Sequence, residues 1–420
     1  MRASISLFLF ATHLALSSPF SAQDLASATK TLTVDDALAL AEKQSPLLKA
    51  SEAEIEAARA GTMTARTYQN PEFNALLGNQ YIRLPTSVPG LLQHYGYSQG
   101  IELPSVRRTR IEVGRRGEES SRFALANTEN LVRFAVRQAF SQVLRRKSEL
   151  SLAQEDLGIA QDLRRRIGVQ VQTGEAARLE LSRAESEITS VRALVKTAEL
   201  NLAGAKFELR AVVGGLDSVE FDVTGSPGPG VPLPSVEELR KQVVSNHPSI
   251  ALANSEIRRA EALLASERAL RVPQPSIVTE YEQQPDLRFF RTGLAVPLPI
   301  FDRRRGQIAE ASARLTQTRA VARQRTLEIT AALEKAYSQY QIADQQIASY
   351  ESGSLRQARV ALDAAQVAYK FGERSILEVL DAQRVLHSVN SDYLNSQFDR
   401  DAALIELQRL RAIDYPRTNP

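Results

Sequence analysis

The side chains able to do chemistry in this chain are spread too thinly to form a catalytic centre. His94, His247 and His387 are isolated, one expected in a loop and two on helices, and read as structural rather than metal-ligating. Cysteine is absent, which excludes disulfides, thiol catalysis, a thiolate zinc cage and lipid attachment through an N-terminal Cys. No nucleophile–base constellation, Gly-rich phosphate loop or ligand cluster can be assembled, so neither an enzyme nor a cofactor protein is expected. Two arginine runs, Arg164-Arg165-Arg166 and Arg303-Arg304-Arg305, have the composition of a nucleic-acid patch. In an exported chain of net charge +3 they read instead as solvated helix faces.

The elements that carry these residues are laid out twice. Thr33, Val34, Pro46 and Ile55 recur as Ser235, Val236, Pro248 and Ile257, all at an offset of 202. Pro71 answers Pro273, Gly100-Ile101 answers Gly293-Leu294, and Gly174-Glu175 answers Gly372-Glu373. Two units of roughly 200 residues in tandem give the chain internal pseudo-two-fold symmetry. Ahead of them, Met1-Arg2, the apolar run Ile5 to Leu16 and the small residues to Ala28 form an export signal. Cleavage after Ala22 or Ala28 is open, with Ala26-Ser27-Ala28 the better small-x-small match. Beyond it, no stretch reaches the roughly 20 apolar residues of a membrane helix.

Each unit predicts the same order of parts. Thr33-x-x-Asp36 and Ser235-x-x-Glu238 start a capped helix. Second helices follow over 46–67 and 248–271. After Pro71 and Pro273 the apolar period changes from 3.6 to two, and strands are expected over 71–83, 94–104, 275–284 and 288–297. Phe73, Ala75, Leu77, Tyr95 and Tyr97 line one face against Glu72, Asn74, Gly96 and Ser98. Ile277, Thr279, Tyr281, Phe290 and Leu294 repeat the pattern. Such strands fit an ordinary two-sided soluble sheet or a transmembrane barrel, and the helices around them favour the barrel.

Helical hairpins are predicted over 105–213 and 302–411. Their first arms run without proline for sixty-odd residues, about 100 Å, and reverse at Gly174 and Gly372. Apolar seams are expected through Ala153, Leu157, Ala160, Leu163 or Arg164, Ile167 and Val171, and through Ala361, Ala364, Ala368 and Phe371. The first unit thus spans 32–220 and the second 235–412. A Pro/Gly linker over 221–234 joins them, and 413–420 form a tail.

Tyr369-Lys370-Phe371-Gly372-Glu373-Arg374-Ser375-Ile376-Leu377-Glu378-Val379-Leu380-Asp381-Ala382-Gln383 and its counterpart Thr173-Gly174-Glu175-Ala176-Ala177-Arg178-Leu179-Glu180-Leu181 resemble the turn signatures of the TolC family of outer-membrane efflux channels. The resemblance covers the mature chain. It implies a mostly helical protein with a membrane β part, trimeric, with a 12-stranded β-barrel and a periplasmic α-helical barrel. It implies as partners a homotrimer, a periplasmic adaptor, an inner-membrane pump of the resistance-nodulation-division type and outer-membrane lipid, with no cofactor and no nucleic acid. Gln99-Gly100-Ile101-Glu102-Leu103 and Asn70-Pro71-Glu72 are similar to the members that export heavy-metal cations. Here Pro104-Ser105 replaces the subgroup's pair of glycines.

By motif match, Glu378 and Asp381 are candidates for an acidic ring at the pore. Arg374 and Glu180, read as occupying corresponding places in the two turns, are candidates for a gate-closing ion pair, with Tyr369 as a neighbouring hydrogen-bond partner. Gly174, Leu179, Gly372 and Leu377 are candidates for the adaptor-docking tips. The same channel could serve drug efflux or type I secretion. A periplasmic coiled-coil adaptor or structural envelope protein is the alternative of another class. An adaptor, however, would carry one helical hairpin, and a structural coiled coil would need no amphipathic strands.

Overall fold

A computed structural model describes residues 30–81, 85–86, 88–216 and 220–412. The expected export signal and C-terminal tail lie outside the described residues. The first repeat contains α1 (Val34–Gln44), α2 (Pro46–Arg66), β2 (Glu72–Gln80), β3 (Gly90–Gly100), α3 (Pro104–Thr173) and α4 (Arg178–Val213). The second contains α5 (Val236–Asn246), α6 (Pro248–Ala269), β5 (Ser276–Gln283), β6 (Arg288–Ala295), α7 (Arg305–Ser349), α8 (Leu355–Lys370) and α9 (Ile376–Arg411). A short β1 (Lys30–Leu32) pairs in parallel with β4 (Phe221–Val223). Three-residue strands carry no periodic signal, and β4 falls in the segment read from sequence as linker. That linker is pinned: the Tyr340 hydroxyl accepts from the Val231 N–H at 2.7 Å and donates to the Val231 carbonyl at 2.8 Å.

The helix starts follow their capping chemistry. Thr33 and Asp36 form a reciprocal capping box, with the Asp36 N–H donating to Thr33 Oγ1 at 3.2 Å and the Thr33 N–H to Asp36 Oδ2 at 3.1 Å. Ser235 accepts from the Glu238 N–H at 3.3 Å. Pro46 and Pro248 open α2 and α6, where a missing N–H costs nothing.

The 70 residues of α3 form one helix, about 105 Å long. Its second-repeat counterpart is not continuous. A π-helical turn over Tyr350–Ser354 separates α7 from α8. Ser352, Gly353 and Ser354 hold α-helix weakly, and an extra residue in the turn puts the Tyr350 ring edge-on against Tyr393, 6.3 Å between centroids. The Tyr393 hydroxyl also donates to Glu351 at 2.8 Å.

Four strands form one antiparallel sheet in the order β2-β3-β5-β6. Helices α2, α3, α6 and α7 pack side by side in the same order, each joined to its strand by a short irregular segment. Where the helices change partners, two apolar cores form. Leu32, Val136, Val143, Leu209 and Phe221 fill one, between α1, α3, α4 and the β1–β4 pair. Leu239, Val243, Leu333, Tyr340 and Leu407 fill the other, between α5, α7 and α9. A third core, with Leu163, Ile167, Leu362, Ile376 and Leu380, ties the two helical hairpins together near their turns.

Both expected seams shift in detail. In α3 the buried positions are Ala153, Asp156, Ala160, Leu163 and Ile167. This is a strict three-four spacing with Asp156 where Leu157 was expected. In α8 the buried positions are Ala358 and Leu362, while Ala361 and Ala364 are exposed and Phe371 stands in solvent. Alanines there recur at several spacings, so the larger Leu362 and Tyr369 decide which face turns in.

Candidate channel lining and helical-tip gate

The sheet has two chemically opposite faces. Phe73, Ala75, Leu77, Tyr95, Tyr97, Ile277, Tyr281, Phe290 and Leu294 share one, as the ladder registers Phe73↔Tyr97, Ala75↔Tyr95, Tyr95↔Tyr281, Tyr281↔Phe290 and Ile277↔Leu294 require. Rings of Phe73, Tyr95 and Tyr281 stack in a row, with centroids 6.4 and 6.3 Å apart. The other face carries Glu72, Asn74, His94, Ser98, Glu280, Glu282 and Arg291. Glu280 pairs with Arg291 across the ladder, and His94 Nδ1 lies 3.9 Å from Glu282 Oε2. His94 therefore sits on β3 rather than in a loop, because the strand begins at Gly90. Among the described residues the outer edges of β2 and β6 have no strand partner.

At the far end, each helical hairpin turns through a glycine with left-handed backbone, φ 83° at Gly174 and 74° at Gly372. A side chain at either position would be strained. The Glu175 N–H reaches back to the Gln170 carbonyl at 2.8 Å and the Glu373 N–H to Ala368 at 2.9 Å, so both helices close in the same way. Leu179 and Leu377 stand exposed just past the two turns. They are the second residues of α4 and α9.

The charged residues of the tips are arranged differently from expectation. Glu180 is the third residue of α4 and its true counterpart is Glu378, the third residue of α9; Arg374 corresponds to Ala176. Arg374 pairs with Glu378 at 3.1 Å, one turn along its own chain. Glu180 instead accepts a 2.7 Å hydrogen bond from the Tyr369 hydroxyl. Thus within one protomer the structure joins Tyr369 to Glu180 and Arg374 to Glu378, and it does not join Arg374 to Glu180. Burial and the bond to Glu180 hold the Tyr369 phenol well above the ordinary tyrosine range, so it stays a donor. Asp381 is exposed, one turn beyond Glu378.

Sequence reasoning missed the polar ties between the hairpins. His387 Nδ1 lies 2.5 Å from Asp156 Oδ2, joining α9 to α3. Burial pushes the Asp156 carboxyl above its usual range, against the pull of His387. Arg384 donates to Glu187 at 3.0 Å, joining α9 to α4, while Arg164 donates to Glu185 at 2.9 Å within the first hairpin. The missed signal was the polar residue at 156 on an otherwise apolar three-four spacing.

A sheet that is apolar on one face, polar on the other and open at both edges cannot sit alone in lipid. Carried on helices about 100 Å long, it is one wall segment of an oligomeric membrane duct. The sequence model of outer membrane efflux proteins matches residues 37–215 and 239–412, and the chain belongs to that family. It is an outer-membrane efflux channel protein, and channels of this family are trimers that work with an adaptor and an inner-membrane pump. Among curated relatives it is similar to the cobalt-zinc-cadmium resistance protein CzcC of Cupriavidus metallidurans, 26% identical over 365 residues and 86% of each chain. The nickel-cobalt-cadmium resistance protein NccC of Alcaligenes xylosoxydans is 27% identical over 71% of this chain and 68% of its own. The pyoverdine export protein OpmQ of Pseudomonas aeruginosa is 24% identical over 87% and 80%. Among solved structures, CusC superposes with a TM-score of 0.77 at 20% identity, over 94% of this chain and 96% of that one. The channel OprN gives 0.79 at 17%, over 90% and 89%. These last two show the fold alone.

Proposed function

We propose that the channel carries heavy-metal cations out of the cell, delivered by a resistance-nodulation-division pump through a periplasmic adaptor. The observation that carries this reading is the kinship with two metal-resistance proteins over most of both chains, joined to an acid-rich inner sheet face of Glu72, Glu280 and Glu282. Three protomers with four strands each would close a 12-stranded barrel, and their helices would extend the pore across the periplasm. Conduction needs carboxylates that attract cations without holding them, and no cluster of metal-ligating side chains occurs among the described residues.

In this reading Glu378 and Asp381 of three chains form an acidic ring at the periplasmic mouth. Arg374 and Glu180 form the gating charges, steadied by Tyr369. Gly174, Leu179, Gly372 and Leu377 form the surface on which the adaptor docks. A second reading, export of organic chelates, is favoured by the similarity to OpmQ over an equally long stretch. Deleting the gene and scoring tolerance of cobalt, zinc, cadmium and copper against a panel of drugs and siderophores separates the two. Metal sensitivity is expected, and unchanged tolerance of every metal would overturn the cation reading. For the ring, Asp381→Ala should raise single-channel conductance in planar bilayers and weaken block by divalent cations on the order of ten-fold. Unaltered conductance and block would remove Asp381 from the pore mouth.

A further inference from the structure

The two corners where the sheet passes into the long helices have the same ancestry but different packing. In the first repeat the corner folds back onto its own neighbours. Val106 is only 5% exposed, and the Ile101 N–H donates to the Pro275 carbonyl at 2.8 Å. Arg107 and Arg110 donate to the carbonyls of Arg66 and Thr67 at 2.6 and 2.9 Å, and Arg110 pairs with Glu102 at 2.7 Å. Glu102, Arg107 and Arg110 are thus spent on the protein itself, and of the charges at this corner Arg108 alone stands exposed.

In the second repeat the corner Val296-Pro297-Leu298-Pro299-Ile300-Phe301-Asp302-Arg303-Arg304-Arg305 is unpacked. Leu298 is 71% exposed, Ile300 62% and Phe301 99%. In sequence, the alternate apolar residues of β6, Phe290 and Leu294, are followed at the same spacing by Val296, Leu298 and Ile300, beyond the last ladder residue Ala295. Between these apolar residues stand Pro297 and Pro299, which have no N–H to leave unpaired away from water.

Of the three arginines, only the middle one turns inward. Arg304 takes a left-handed backbone, φ 55°, with its N–H on Asp302 Oδ1 at 2.8 Å and its guanidinium on Glu267 at 2.5 Å. Arg303 and Arg305 are left facing solvent on either side of it. Neither forms an ion pair among the described residues.

We propose that this corner is a phospholipid anchor on the periplasmic leaflet of the outer membrane. Leu298, Ile300 and Phe301 enter the acyl region, and Arg303 and Arg305 bind the phosphates of anionic headgroups. The occupant is lipid rather than a second copy of the chain because the exposed Leu298, Ile300 and Phe301 follow directly in sequence on the lipid-face residues of β6 and are themselves followed by two solvent-facing arginines. A neighbouring protomer would meet the sheet in its plane, at the edge of β6. A cationic pair set two and four residues beyond an aromatic side chain matches the order of phosphate and hydrocarbon at that boundary. The inference rests on the channel lying in the outer membrane by its sheet.

The chain contains no tryptophan, so one introduced indole reports one place. Two full-length variants, Phe301→Trp at the corner and Phe290→Trp on the sheet, are reconstituted as trimers into phosphatidylethanolamine vesicles containing brominated phosphatidylglycerol. Both indoles should be quenched to a comparable degree. Replacing Arg303 and Arg305 by Ala in the Phe301→Trp background should lower the preference for brominated phosphatidylglycerol over brominated phosphatidylcholine. The loss should reach up to about five-fold per arginine, with Phe290→Trp unaffected. Quenching at 290 with none at 301 overturns the anchor, and a blue-shifted emission at 301 then places a neighbouring protomer over it. Quenching at neither site would instead overturn the placement of the sheet in lipid. A preference that survives loss of both arginines overturns the headgroup contact.

Discussion

Tyr95→Arg should abolish assembly in the outer membrane, while Ser98→Arg on the same strand should be tolerated. Tyr95 lies near the middle of β3, opposite Ala75 on one side and Tyr281 on the other, at the centre of the stacked aromatic row. An arginine on the lipid face near the bilayer midplane costs about 2–4 kcal/mol, and a trimer would carry three. The sum, roughly 6–12 kcal/mol, is comparable with the whole stability of an ordinary domain. Loss of two ring contacts adds about 1 kcal/mol each. Ser98 points to the opposite face, beside Glu72, where a guanidinium meets water and a carboxylate. Heat-modifiable trimers in outer-membrane fractions, run on gels with and without boiling, measure the result. Trimers of Tyr95→Arg at the unsubstituted level, or loss of both variants alike, would reverse the two faces.

How far the sequence could be read depended on what each feature asks of its residues. The duplication and the strand pairs were legible because proline and alternation mark them: Pro71 and Pro273 end the helical period, and Phe73 to Leu77 begin another. The turn glycines were legible because only glycine is at ease with the φ values found at 174 and 372. What failed was phase. Leu157 and Asp156 are neighbours, and choosing the apolar one put the seam one position off, hiding the Asp156–His387 tie. Aligning Arg374 with Glu180 was the same kind of slip, since the helix starts at Arg178 and Ile376 make Glu180 the equal of Glu378. The π turn at Tyr350–Ser354 was invisible because no residue type demands it. It is a matter of hydrogen-bond partners one residue farther along, set by packing against Tyr393.

The same dependence on surroundings makes His247 the group through which acid should weaken the molecule most. His247 stands before Pro248 as the N-cap of α6, and its Nδ1 accepts the Ser249 N–H at 3.1 Å. The ring is 2% exposed and its Nε2 has no hydrogen-bond partner. Burial first, then the charges of Arg409 and Arg325, push the imidazole down to about 4. The unfolded chain takes up this proton near 6.5, whereas the folded chain refuses it until about 4. Stability from this site is therefore complete above roughly pH 6.5, drains away as pH falls toward 4, and is level below that. The loss is about 3 kcal/mol in full and about 2 kcal/mol by pH 5. Protonation also turns Nδ1 from acceptor to donor, so the cap bond goes with it. His247→Asn keeps a capping oxygen without a titrating group. Its thermal unfolding, followed by circular dichroism in detergent, should lose about 2 kcal/mol less between pH 8 and pH 5 than the unsubstituted protein. Asp156 works in the opposite sense, since its raised carboxyl favours the folded state as pH falls. It is common to both proteins and leaves the difference to His247. Two superimposable pH profiles would mean that the ring carries its proton in the folded state, and that burial at this helix start has not excluded the charge.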